Sequence, residues 1–199
     1  MKKAILYIQG KGGSAAEAEH YKRLCPEYDV FGLDYQFSTP WETKPEIISG
    51  YESLKEKCGS VILVANSIGA FFAMNALTGR KIERALLISP IVNMERLILD
   101  MMQWANVTEA ELREKREIET SFGEVLSWDY LCYVRENPIV WTIPTDILYA
   151  GKDSLTSYET VSRFAGKINA SLTVMEHGEH WFHTEEQMNF LDGWLKRCI

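Results

Sequence analysis

The chain has 199 residues, 46% of them hydrophobic and 25% charged, which is ordinary globular composition and length for one domain with a proper core. Its formal net charge is −7, and no Lys/Arg cluster is longer than the Lys2-Lys3 pair, so nucleic acid and anionic membrane are poor partners. The first apolar run is too short for a secretory segment and no stretch reaches transmembrane length, which predicts a cytoplasmic protein.

Taken in chain order, buried strand-like runs alternate with amphipathic stretches. A strand is predicted at 4–9, followed by the glycine-rich segment Gln9-Gly10-Lys11-Gly12-Gly13-Ser14 and a helix at 15–24. Next come a strand at 30–34 and a helix at 45–57, with Pro45 suited to its first turn. A strand at 61–65 runs through a sharp turn into a helix at 68–78, and a strand follows at 84–89. Strands at 146–150 and 172–176 are each followed by a helix, at 158–167 and 184–197. Runs that are apolar throughout indicate a sheet covered on both faces, and the strand–helix alternation indicates that it is parallel.

Residues 91–143 interrupt this rhythm, being far longer than an ordinary connection. They read as three helices, at 94–104, 108–120 and 123–135, with Thr108 and Glu111 at capping-box spacing. The segment carries Trp104, Phe122, Trp128, Tyr130, Tyr133 and Trp141. It is expected to form a helical cap over the carboxyl edge of the sheet; its aromatics equally suit gluing the insertion to the body. Cys25, Cys58, Cys132 and Cys198 are far apart and form no Cys-x-x-Cys pair, so they read as free thiols.

In an open parallel sheet, ligands bind beyond the carboxyl ends of the strands. The first strand ends in the glycine-rich loop. The third ends in Ala65-Asn66-Ser67-Ile68-Gly69, a small-x-Ser-x-small turn into a helix. The fifth ends in Gly151-Lys152-Asp153, and the sixth in His177-Gly178-Glu179-His180-Trp181-Phe182-His183. A serine, an acid and a histidine therefore fall at three strand ends in the order Ser, Asp, His. The turn at Ser67, taken alone, also fits an ordinary helix N-cap.

These segments together resemble a small α/β-hydrolase. The Gln9–Ser14 segment is similar to the family's His-Gly-x-Gly-Gly-Ser loop, with Gln9 in place of the histidine. The turn around Ser67 resembles the nucleophile elbow, with Ala65 in place of the first glycine. Tyr149-Ala150-Gly151-Lys152-Asp153 resembles the acid loop, and Gly178-Glu179-His180-Trp181-Phe182 the histidine loop. The resemblance implies a three-layer α/β-hydrolase fold in one domain spanning 1–199, with a minimal six-stranded parallel sheet and a helical cap insertion at about 91–143. It implies a serine hydrolase acting on a small-molecule acyl substrate, a carboxylic ester or thioester, with no cofactor and no metal. Ser67 is then the nucleophile, His180 the base and Asp153 its orienting acid, with the backbone N–H groups of Lys11 and Ile68 forming the oxyanion hole. A neutral histidine base predicts that kcat/KM rises with pH through one ionisation.

Other assignments use the same residues differently. Asp146 is the rival acid, although it falls inside its strand. His177 and His183 are rivals for the base, with His183 expected to start the last helix; the three histidines also raise the possibility of a zinc site, with no clear cage. His20 reads as exposed. Gly10-x-Gly12-x-x-Ala15 with Asp34 after the next strand matches a dinucleotide fingerprint and the alternative of an NAD-binding oxidoreductase, and the same fold could also serve as a non-catalytic binding module. Lys11 could reach an anionic substrate group through its side chain, or point to solvent and act only through its backbone.

Overall fold

The apolar runs pair into a single parallel sheet. A computed structural model describes residues 3–36 and 38–199; Lys2, of the Lys2-Lys3 pair, lies outside the described residues. The strands are β1 (Lys3–Ile8), β2 (Asp29–Leu33), β3 (Ser60–Asn66), β4 (Arg84–Ile88), β7 (Thr145–Ala150) and β8 (Ser171–Met175), β5 and β6 lying elsewhere in the chain. They form a six-stranded sheet in the order β2-β1-β3-β4-β7-β8, parallel at every pairing. The central strands are buried on both faces because their side chains alternate between two apolar layers. Ile5, Ile62, Leu86 and Leu148 face a cluster that includes Tyr21 and Trp194. The intervening Leu6, Leu63, Leu87 and Ile147 are equally buried, on the side where helices α2 (Pro40–Lys57) and α3 (Ile68–Leu77) pack on β1 and β3.

The strand order reverses between β1 and β3, because the chain steps from β1 to one neighbour and later returns to the other. Such a switch point opens a crevice at the carboxyl ends of the two strands. This crevice is flanked by the glycine-rich loop and Ser67. The order also departs from the 3-2-1-4-5-6 arrangement of the dinucleotide fold.

Several element boundaries differ from expectation. Residues 15–24 form a 3-10 turn, Ala15–Glu17, before α1 (Ala18–Leu24). Helix α2 begins at Pro40, so Pro45 lies inside it rather than opening it. Pro40 at the first helical position takes the role expected of Pro45. The remaining core helices are α7 (Tyr158–Ile168) and α8 (Glu185–Cys198). Thr184 caps α8 by accepting from Gln187 N–H at 3.2 Å, so His183 precedes the helix instead of starting it.

The chain divides into two compact units, Met1–Val92 with Val140–Ile199, and Asn93–Ile139. The second unit is not helical throughout. Its elements are α4 (Met94–Trp104), α5 (Glu109–Lys115), the strands β5 (Glu117–Glu119) and β6 (Val125–Ser127), and α6 (Trp128–Glu136). The expected helix at 108–120 stops at Arg116, whose φ is +68°, and β5 and β6 pair antiparallel. Gly123, with φ +84°, makes the hairpin turn, where Thr120 N–H donates to Glu124 O at 2.8 Å. Arg135 on α6 ties the helices together, bonding Glu95 on α4 at 2.7 Å and both oxygens of Glu109 on α5 at 2.7 and 2.8 Å. Trp104 packs edge-on against Phe122 within this unit. Trp141 belongs to the first unit, buried, donating to Thr145 Oγ1 at 2.9 Å.

Candidate active site

Ser67 sits between β3 and α3 with φ +52° and ψ −122°. A side chain is strained in this region, and the surroundings hold it there. Its N–H donates to Ile88 O at 2.9 Å, and its carbonyl accepts from Ala70 N–H and Ile91 N–H, each at 3.1 Å. The turn needs glycine two residues on: a Cβ at Gly69 would lie 2.2 Å from Gln9 O. Gly10 is pressed against Ser67 itself, since a Cβ there would stand 3.0 Å from Ser67 Cβ. The glycine-rich loop and the serine turn are thus packed on each other.

Ser67 Oγ lies 2.7 Å from His180 Nε2, and His180 Nδ1 lies 2.7 Å from Asp153 Oδ2. Asp153 is fixed by its other oxygen, Oδ1, which accepts from Leu155 N–H at 2.8 Å and Thr156 N–H at 3.1 Å. Its side chain is fully buried, while the ring of His180 keeps 17% of its surface exposed. The acid and histidine loops are tied to each other by Gly151 N–H to Met175 O at 2.8 Å and Lys152 N–H to Gly178 O at 2.9 Å. Gly151 is required for this approach: a Cβ would fall 2.4 Å from Glu176 O. Phe182, two residues past His180, is buried in the core cluster and anchors that loop from below. A hydroxyl, an imidazole and a carboxylate in this relay can deprotonate the hydroxyl for attack on an electrophilic carbon.

The other candidates fall elsewhere. Asp146 lies near the start of β7, at the opposite end of the sheet, and accepts from Arg84 Nη1 at 2.6 Å. His183 places Nδ1 2.7 Å from Trp181 O and stacks on the Trp181 ring; His177 is exposed. His20, expected to be exposed, is half-buried and pairs with Asp192 of α8 at 2.7 Å. Among the described residues no group of three or more His, Cys, Asp or Glu side chains converges as a metal site. Asp34 is exposed and accepts from Gln36 Nε2 at 3.0 Å. Lys11 is exposed in the first loop, and Ile68 opens α3, where the first N–H groups of a helix have no partner within it.

Sequence reasoning passed over the fourth strand end. Ser89, directly after β4, is fully buried with φ +42°, and its Oγ has no hydrogen-bond partner. Applying the strand-end rule there, to Ser89-Pro90, would have singled it out.

No family model matches the chain, and no curated protein matches it by sequence. Solved structures do. Alpha/beta hydrolase domain-containing protein 10 from mouse superposes with a TM-score of 0.79 at 17% identity, covering 98% of this chain and 88% of that one. Est1E from Butyrivibrio proteoclasticus gives 0.73 at 15% identity, covering 99% and 87%. The chain has the α/β-hydrolase fold. Esterase Pf2001 from Pyrococcus furiosus, with a TM-score of 0.62 at 20% identity over 99% and 83%, shares it. Within this fold the serine, acid and histidine lie beyond three different strands, so only the folded sheet assembles them. Among the described residues no helix is long and apolar enough to cross a membrane.

Proposed function

We propose that the protein is a cytoplasmic serine hydrolase that cleaves a small-molecule carboxylic ester or thioester through an acyl-enzyme. The observation that carries this reading is the continuous relay from Ser67 Oγ to His180 to Asp153, with both links at 2.7 Å, built on a strained strand-to-helix turn. One structural neighbour, Pf2001, is named as an esterase, and Est1E is described with ferulic acid bound; both support the ester class. The free thiols of the four cysteines support the cytoplasmic setting.

In this reading Ser67 Oγ attacks the acyl carbon while His180 Nε2 takes its proton. Asp153 keeps the His180 ring in the tautomer whose Nε2 can accept, and stabilises the imidazolium. The backbone N–H groups of Lys11 and Ile68 hold the negative charge that develops on the acyl oxygen, where loss of one donor costs about 10²–10³ in rate. His180 then returns the proton to the departing alcohol or thiol, and water repeats the sequence to release the acid.

The test is labelling of the purified protein with a fluorophosphonate probe, locating the modified residue by mass spectrometry beside Ser67→Ala. Stoichiometric modification at Ser67, absent from the variant, is the expected result. Folded protein that takes up no probe at Ser67 would overturn the reading.

A further inference from the structure

The carboxylate of Glu17 touches the first loop and strand β1 at once. Its Oε1 accepts from Ser14 N–H at 3.3 Å, and a Cβ on Gly13 would lie 2.6 Å from the same oxygen. Its Oε2 accepts from the hydroxyl of Tyr7, a buried residue of β1. Tyr7 pairs in register with Val64 of β3, the strand that ends at Asn66, the residue before Ser67. Burial foremost, then Tyr21 and Glu17, push the Tyr7 hydroxyl well above its ordinary range, so it stays a donor to the carboxylate. Tyr35 reinforces the start of the loop by donating to Gln9 O at 2.8 Å, and it too stays protonated, pushed up to about 12 by burial and then by Glu17.

We infer that Glu17 is a positioning residue: through Ser14 on one side and Tyr7, in register with β3, on the other, it sets the distance between the Lys11 N–H and Ser67. This inference rests on the serine-hydrolase reading. An oxyanion hole works only if both donors meet one oxygen. Here one donor is carried by the glycine-rich loop and the other by the helix after Ser67. Gly10 packed against Ser67 Cβ stops the loop from moving inward. The Glu17 strut holds it from behind. A misplacement of about 1 Å at such a site costs about 10² in rate.

The chemistry of the strut dictates the variants. Glu17→Gln keeps the shape but replaces one of the two acceptor oxygens by a donor, so Ser14 N–H and the Tyr7 hydroxyl can no longer both donate to this side chain. Tyr7→Phe cuts the same strut at its middle. For each variant, kcat and KM on a p-nitrophenyl ester, the rate constant of fluorophosphonate labelling at Ser67, and the melting temperature are measured.

Each change is expected to lower kcat and the labelling rate constant about tenfold with KM within about twofold, the loss of a contact made in the transition state alone. Labelling still runs to completion, because the fraction folded is unchanged. The double variant is expected to be no slower than the slower single one, as two cuts in one strut are not additive. Wild-type rate constants in both variants would overturn the inference while the serine-hydrolase reading stands. So would a loss confined to the labelling endpoint and the melting temperature, which a purely structural role produces. Wild-type protein that does not label at Ser67 would overturn the hydrolase reading and this inference together.

Discussion

The backbone of Ser67, at φ +52° and ψ −122°, is conformationally unfavourable for any residue with a Cβ. Strain of this kind costs about 1–3 kcal/mol and survives only where the surroundings over-determine it. Hydrogen bonds from Ser67 to Ile88, Ala70 and Ile91 do that here. The strain has a thermodynamic consequence that separates it from chemistry. Ser67→Gly is expected to be more stable than Ser67→Ala by about 1 kcal/mol, since glycine alone enters this region freely. Both variants lack the Ser67 hydroxyl, so paired thermal denaturation measures the backbone term alone. Equal stabilities would mean that the turn is relaxed. The sequence pattern small-x-Ser-x-small pointed to this position because the neighbours must be small, as the 2.2 Å approach of a Gly69 Cβ to Gln9 O requires. What it could not point to was Glu17, an ordinary capping-box partner of Ser14 until Tyr7 is brought against it.

At the scale of elements, the departures from expectation share a cause. The charged stretch after Thr108 has helical composition, yet α5 ends at Lys115 and the next residues pair as a hairpin. Helix propensity spans less than about 1 kcal/mol per residue for ordinary residues, and local chain reversal overrides it. The overlooked signal was Gly123, whose φ of +84° suits glycine in a turn. Gly123→Ala is expected to destabilise the protein by about 1 kcal/mol, read as a shift in the urea midpoint. The ionic tie from Arg135 to Glu95 and Glu109 belongs to the same unit. Arg135 holds the Glu109 carboxyl below its ordinary range, chiefly by hydrogen bonding. A carboxyl lowered on folding adds stability above its unfolded pKa, and that contribution is lost as pH falls through the folded value. Arg135→Met is therefore expected to cost about 1 kcal/mol or less near neutral pH, because the pair is solvent-screened. The difference from wild type should shrink on acidification below pH ~4 and in high salt. A difference constant with pH would assign Arg135 to packing by its aliphatic stem instead.

Across the whole molecule, the sheet and the helices on its two faces make one cooperative core in the first unit, and Cys25 sits inside it at 3% exposure. Burial foremost pushes its thiol up to about 11, leaving about one molecule in a thousand as thiolate at pH 8 even if reached by reagent. Alkylation of Cys25 is expected to proceed only through global opening, with a rate that climbs with urea as steeply as unfolding does. Modification independent of urea would show a local opening at α1. The sheet itself was legible in the chain because an apolar run covered on both faces leaves little else for such residues to form. The order Ser, Asp, His at strand ends was likewise legible, since parallel topology sends every carboxyl end to the same edge. Space brings one histidine and one acid to Ser67. His180 reaches Ser67 across 113 positions of sequence, whereas Asp146 lies at the far edge beside Arg84. Composition and periodicity thus determined the architecture and the edge of the sheet that carries the candidate site. Tertiary structure alone decided which side chains meet there and what braces them, because hydrogen bonds of 2.7 Å depend on where separate loops are pinned, and no local pattern encodes that distance.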